Sequence, residues 1–219
     1  MGSRRSPGRG KSRRRQTPRS PRFRLTLDRI ELAAGRDGLL RGGPEPALLA
    51  GLFRARPGPV LLGRCLHRLG SIDDFPHNAS LDQQLLDVSL PAGTLPGTLA
   101  LLCLVLEEDS GRDLAQLYAD LATPANLAAF DGAARVPEPR PMSELMAHPA
   151  SELPHAETIH LLRDDQPLQD QVKDDDWIAA ALIRIALPEA GRSSHWALQA
   201  RSADGHNDWT FWLHAWVDA

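Results

Sequence analysis

Apolar and polar residues alternate along much of this chain in short runs with the two-residue period of extended backbone. Phe23, Leu25 and Leu27 share one parity, and Ile30 and Leu32 fall on the other. One extra residue near Asp28-Arg29 accounts for that slip, which predicts a β-bulge there. Apolar runs follow at residues 47–53, 60–66, 84–90, 98–106, 177–187, 195–201 and 209–217, giving eight candidate strands with the first. The separators are Gly- and Pro-rich: Gly42-Gly43-Pro44, Arg56-Pro57-Gly58-Pro59, Pro91-Ala92-Gly93 and Asp204-Gly205. Short strands punctuated in this way predict an all-β fold, an antiparallel sandwich or barrel. Residues 98–106 and 178–187 are apolar on both parities, so they are expected at the centre of a sheet covered on both faces.

Between these two runs the period changes. Leu114, Leu117, Tyr118 and Leu121 recur at helical spacing, which predicts an amphipathic helix over 113–122. Pro124, Pro137, Pro139, Pro141, Pro149 and Pro154 then predict a loop-rich insertion with at most short helices. Residues 1–22 contain no Leu, Ile, Val or Phe; with nothing to bury, they are expected to form a disordered basic tail. The expected organisation is this tail (1–22) followed by one β-sandwich domain (23–219) carrying an insertion at about 114–173.

Charge sharpens that division. The first 24 residues hold ten of the 25 basic groups, among them Arg4, Arg5, Arg13, Arg14 and Arg15, and the first acidic residue is Asp28. The remainder carries 15 basic against 28 acidic groups, so the overall charge of −3 hides a basic tail on an acidic body. Such a tail suits anionic lipid, nucleic-acid phosphates or the acidic body itself; without interleaved aromatics it is unsuited to base recognition. Ser3-Arg4-Arg5 has the look of a twin-arginine motif, but no apolar segment follows it, so export is not expected. Met1-Gly2-Ser3-Arg4-Arg5-Ser6 fits only the loose myristoylation pattern. The apolar run 98–106 is too short to span a membrane. Cys65 and Cys103 sit in apolar runs and read as buried free thiols. With 23 Arg against two Lys, the expectation is a bacterial, cytoplasmic protein with peripheral membrane association.

The chemistry lies in carboxylates. Glu107-Glu108-Asp109, with Asp113 four residues on, closes one central run, and Asp174-Asp175-Asp176 opens the other. Carboxylates packed this densely repel one another and resist desolvation, so they call for open water, basic partners or a hard cation such as calcium. Extended backbone would turn Glu107 and Asp109 to the same side. The chain has no Gly-x-Ser-x-Gly elbow, no phosphate-cradling glycine loop and no His-Glu-x-x-His pair. His155 and His160 are five apart, which splays them on a helix and opposes them on a strand. A Cys65 nucleophile is disfavoured by its apolar setting.

Glu45-Pro46-Ala47, Glu107-Glu108-Asp109, Asp176-Trp177-Ile178-Ala179 and Trp196-Ala197-Leu198 together give the chain a pattern that resembles the C2 domain, the calcium- and lipid-binding β-sandwich family. They stand where that family has Asp-Pro-Tyr, Asp-x-Asp, Asp-aromatic-Ile-Gly and Trp-x-x-Leu. Glu replaces Asp at 45 and 107, and Ala replaces Tyr and Gly at 47 and 179. The resemblance covers residues 23–113 and 174–217 and implies an eight-stranded antiparallel β-sandwich, C2-like, with an inserted helix and Pro-rich loop. It further implies calcium as cofactor, with Asp37, Glu45, Glu107, Asp109 and Asp176 as ligands and an anionic membrane surface as partner. A glutamate in place of aspartate still ligates calcium but changes the cavity size.

The last strand adds a second candidate surface. Trp209, Phe211, Leu213 and Val217 share one parity, while Trp212, His214 and Trp216 share the other. Either the inserted helix and loop cover this second face, or it meets a protein partner or membrane interface, where tryptophan is favoured. The expected function is a non-enzymatic binding module at an anionic membrane or a protein partner, calcium-dependent if the ligands are retained. The alternatives are a metal-independent adaptor in a bacterial multiprotein assembly and, third, a divergent hydrolase.

Overall fold

Each of the eight apolar runs forms a strand, and every strand pairing among the described residues is antiparallel. The computed structural model describes residues 20–35, 43–54, 60–72, 76–91, 94, 97–121, 130–133, 140–141, 156–158, 160–163, 166–187 and 193–218. Asp37 and the tail arginines Arg4, Arg5, Arg13, Arg14 and Arg15 lie outside the described residues, as does His155.

In chain order the elements are β1 (Arg22–Ala34), β2 (Pro46–Arg54), β3 (Val60–Arg68), β4 (His77–Ser89), β5 (Gly97–Glu107) and α1 (Arg112–Asp120). Five short strands follow: β6 (Phe130–Ala133), β7 (Arg140–Pro141), β8 (Ala156–Thr158), β9 (His160–Arg163) and β10 (Gln166–Pro167). A 3-10 turn (Leu168–Gln171) then leads to β11 (Asp176–Leu187), β12 (Ser193–Arg201) and β13 (Asp208–Asp218). One sheet has the order β12-β13-β1-β4 and the other β3-β2-β5-β11-β8.

The two sheets enclose one core. Phe23, Leu25, Leu27, Ile30 and Leu32 of β1 and Trp209, Phe211 and Leu213 of β13 meet Leu48, Leu52, Leu101, Cys103 and Ile183 of the opposite sheet. The predicted bulge is present: β1 shifts register between Leu27 and Arg29 against both β13 and β4. That shift lets Leu27 and Ile30, three residues apart, both enter the core.

The double-sided apolarity of β2, β5 and β11 has a separate cause. Their second parity, including Leu49, Phe53, Leu102, Leu104 and Leu182, packs with Leu114, Leu117 and Leu121 of the helical segment in a second apolar cluster. The predicted helix therefore exists, within two residues of its expected bounds, and covers the five-stranded sheet. Of the two alternatives for the Trp212/Trp216 face, cover by this helix is the one not realised, because that face belongs to the other sheet. A helix with three leucines on one stripe finds its best burial on a sheet face that is itself continuously apolar.

The insertion also departs from a loop with short helices. β6, β7, β9 and β10 form a small sheet of order β10-β9-β6-β7, and β8 pairs with β11 at the edge of the larger sheet. Prolines do not prevent this, because Pro141 and Pro167 lie on the two outer strands, where an absent N–H leaves no partner unpaired. β4 begins seven residues before the run 84–90. Its first half is a polar edge strand with alternating exposure, and Asp82 takes φ 46°, so the hydrophobic pattern fades there.

Candidate functional site

Sheet register brings the two acidic clusters together. Glu107 is the cross-strand partner of Pro46 on one side and of Asp176 on the other, so the ends of β2, β5 and β11 form one row. One carboxylate oxygen from each of Glu107, Asp109 and Asp176 lies within 4.8 Å of the other two. Glu107 is 1% exposed, whereas Asp109 and Asp176 face solvent. Glu45 enters through its backbone: its N–H donates to Glu107 Oε1 at 3.2 Å, and its carbonyl accepts from the Glu108 N–H at 2.9 Å. The group of converging oxygens thus comprises Glu107, Asp109 and Asp176, while the Glu45 carboxylate is not part of it.

Two further aspartates fix the loops that carry this group. Asp175 Oδ1 accepts the N–H groups of Asp109, Ser110 and Gly111 at 3.1, 2.8 and 2.7 Å, and its Oδ2 accepts that of Leu114 at 3.1 Å. Asp175 caps α1 from another loop, because the residue at the cap position is Gly111, which has no side chain to offer. Asp113, in the first turn of α1, accepts the N–H groups of Lys173, Asp174 and Asp175. Burial acts to raise the Asp175 pKa, but the hydrogen bonds from Ser110, Leu114, Gly111 and Asp109 outweigh it and hold the carboxyl below its usual value. Glu108 is shifted upward, chiefly by burial; the Arg68 guanidinium 3.1 Å away opposes this, and Asp175 and Glu45 add to it. The sequence marked these residues as one acidic population. The structure divides them into loop staples (Asp113, Asp175) and a converging group (Glu107, Asp109, Asp176), a distinction that depends on pairing across about sixty residues.

A cleft of about 670 Å³ opens beside this row, with Val172, Asp175, Asp176, Trp177 and Arg201 among its lining residues. The outward face of β13 carries the second candidate surface, where Trp212, His214 and Trp216 are half-buried. The Arg29 guanidinium lies 4.6 Å from the Trp212 ring and that of Arg24 5.9 Å from Trp216, within cation–π range. Both cysteines are free. Burial pushes the Cys65 thiol up to about 11 and raises Cys103 as well, which leaves neither activated as a nucleophile. No helix among the described residues is long and apolar enough to cross a membrane.

Two facing antiparallel sheets, a helix and small strands inserted between β5 and β11, and acidic residues at the ends of β2, β5 and β11 define an antiparallel β-sandwich with one acidic end. Among solved structures the chain is similar to a C2 domain, domain A, of plant extended synaptotagmin 1, at 10% sequence identity and a TM-score of 0.35, over 93% of this chain and 97% of that one. No protein-family model and no curated relative matches the chain.

Proposed function

We propose that this protein is a non-enzymatic binding module whose acidic end takes calcium and attaches it to an anionic membrane surface. The observation that carries this reading is the convergence of Glu107, Asp109 and Asp176 on one row of strand ends. Three oxygen donors of this kind, two of them open to water, suit a hard cation that keeps several water ligands. Glu45 and Asp37 are the further ligands proposed from sequence. Calcium would offset the mutual repulsion of the carboxylates and leave a cationic rim for lipid phosphate. The basic tail, with Arg4, Arg5, Arg13, Arg14 and Arg15, would add about 1 kcal/mol of attraction for each basic residue near the surface.

Calcium titration followed by thermal melting tests the reading. At about 100 times its Kd, calcium should add roughly 2.7 kcal/mol of stability, and the Asp109→Asn/Asp176→Asn variant should lose that response. No rise in Tm at about millimolar calcium overturns it. Flotation with phosphatidylserine vesicles, with and without residues 1–22, tests the tail; equal recovery removes it from the mechanism.

A second reading is favoured by the β13 face. Trp212 and Trp216, each with an arginine over its ring, form an outward aromatic stripe suited to a protein partner without metal. A partner captured equally by wild type and the Asp109→Asn/Asp176→Asn variant, but lost on Trp212→Ala/Trp216→Ala, would select this adaptor role.

A further inference from the structure

The bulge in β1 does more than reset the core. It places Asp28 and Arg29 consecutively on the outward face of the four-stranded sheet, with Arg29 over Trp212 and Asp28 facing two histidines. These histidines, His195 and His214, are direct cross-strand partners on β12 and β13. Their rings stack 4.0 Å apart between centroids and 13° from parallel. Nδ1 of each lies 3.9 Å from the same oxygen, Asp28 Oδ2.

That spacing is too long for hydrogen bonds. It is close to what a shared cation requires: tetrahedral bonds of about 2.0–2.2 Å set ligand atoms roughly 3.3–3.6 Å apart. One ligand atom from each of the three residues already lies within 4.8 Å of the other two. The stacked rings do not aim their in-plane lone pairs at one point, so binding requires the His195 ring, whose side chain is 64% exposed, to turn out of the stack. The carboxylate is already oriented for this, because Thr26 Oγ1 donates to Asp28 Oδ1 at 2.7 Å and leaves Oδ2 turned to the imidazoles. His214 Nε2 is buried and makes no hydrogen bond among the described residues, and Nδ1 is the nitrogen that faces Asp28.

We propose that Asp28, His195 and His214 form a binding site for a late first-row divalent metal ion of the zinc class, with a further coordination position open to solvent. Two imidazoles and one carboxylate select such ions over calcium, which takes oxygen donors. The open position faces a hollow of about 310 Å³ lined by Asp28, Arg29, Ser80, His195, Trp212 and Leu213, room for water or a small oxygen ligand. The site is on the other sheet from Glu107 and Asp176 and does not depend on calcium binding there.

Zinc titration of the full chain by calorimetry, with cobalt(II) absorption as a second readout, tests the assignment. One equivalent of zinc should bind, and His195→Gln/His214→Gln should weaken binding about a hundredfold or more, with the cobalt d–d band lost. Thr26→Val, which keeps all three ligands, should weaken it about tenfold. Asp109→Asn/Asp176→Asn should leave zinc affinity unchanged. Should replacement of His214 unfold the chain, His195→Gln alone serves, since that side chain is mostly exposed. Wild type failing to bind zinc, or a folded histidine variant binding it as tightly as wild type, overturns the proposal.

Discussion

Asp113 and Asp175 staple each other's loops: Asp113 Oδ2 accepts the N–H of Asp175 at 3.1 Å, while Asp175 Oδ2 accepts the N–H of Leu114, the residue after Asp113, at 3.1 Å. Each also takes N–H groups from its partner's neighbours, so two loops far apart in sequence are fixed as one unit. The group formed by Glu107, Asp109 and Asp176 flanks this unit and takes its shape from it.

Asp175→Asn keeps an acceptor at one position but loses the charge and turns a donor toward another N–H. With Asp175 only 2% exposed, the expected loss at pH 7 is about 2–4 kcal/mol. The Asp175 carboxyl titrates below its usual value in the native state. Its contribution is therefore complete above the unfolded-state value of about 3.9 and disappears as pH falls through the native value. Melting curves followed by circular dichroism should show a gap between wild type and variant at pH 7 that closes below about pH 4. A gap that persists in acid would mean the carboxylate charge is not what holds the loops.

Gly111, at the entrance to α1, has φ +69°, and a Cβ there would lie 2.5 Å from Glu108 Oε1 and 2.9 Å from Arg68 Nη2. Gly111→Ala should lose about 1–2 kcal/mol from the backbone alone, and more because the Arg68–Glu108 ion pair must move. Adding Glu108→Ala should recover only the steric part in urea denaturation. Full recovery would mean that the left-handed backbone carries no strain.

The fold was largely legible in the sequence because it rests on local periodicity. All eight principal strands, the bulge at Asp28 and the helix follow from the spacing of residues such as Leu27, Ile30, Leu114 and Leu117. The small strands of the insertion escaped because pieces of two to four residues carry no period, and their prolines sit on outer strands. The beginning of β4 escaped because an edge strand with half its residues exposed has little apolar signal. The convergence of Glu107, Asp109 and Asp176 was partly legible, since the clusters end runs that both look central. The facing of Asp28, His195 and His214 had no local signal, because it depends on which strands are neighbours and on where the bulge falls.

The leucine stripe of α1 gives a test of which sheet it covers. Leu117 is 2% exposed and packs in the cluster that includes Leu102, Leu104 and Leu182. Leu117→Ala should destabilise the protein by about 2–5 kcal/mol in urea denaturation, the cost of an unfilled site in a packed core. A loss under about 1 kcal/mol would show that the helix does not cover the five-stranded sheet.

The two thiols report on the core itself. Cys65 and Cys103 both pair with Ala50, on the two strands that flank β2. Cys103 is fully buried. Burial raises the Cys65 pKa from 9.0 to about 11, against a smaller opposing effect of its backbone hydrogen bond with Ala50, so almost no thiolate exists at pH 8. A chromogenic disulfide reagent at pH 8 should leave the native protein unmodified over a period in which the urea-unfolded chain reacts at both cysteines. Because the native thiol is the weaker acid, its neutral form contributes fully below pH 9.0, and that stability is lost as pH rises toward about 11. Cys65→Ala should therefore lessen the alkaline fall in Tm. Rapid labelling of Cys65 alone would show that its half-buried thiol is within reach on the native β3, whereas labelling of Cys103 would show that the core opens.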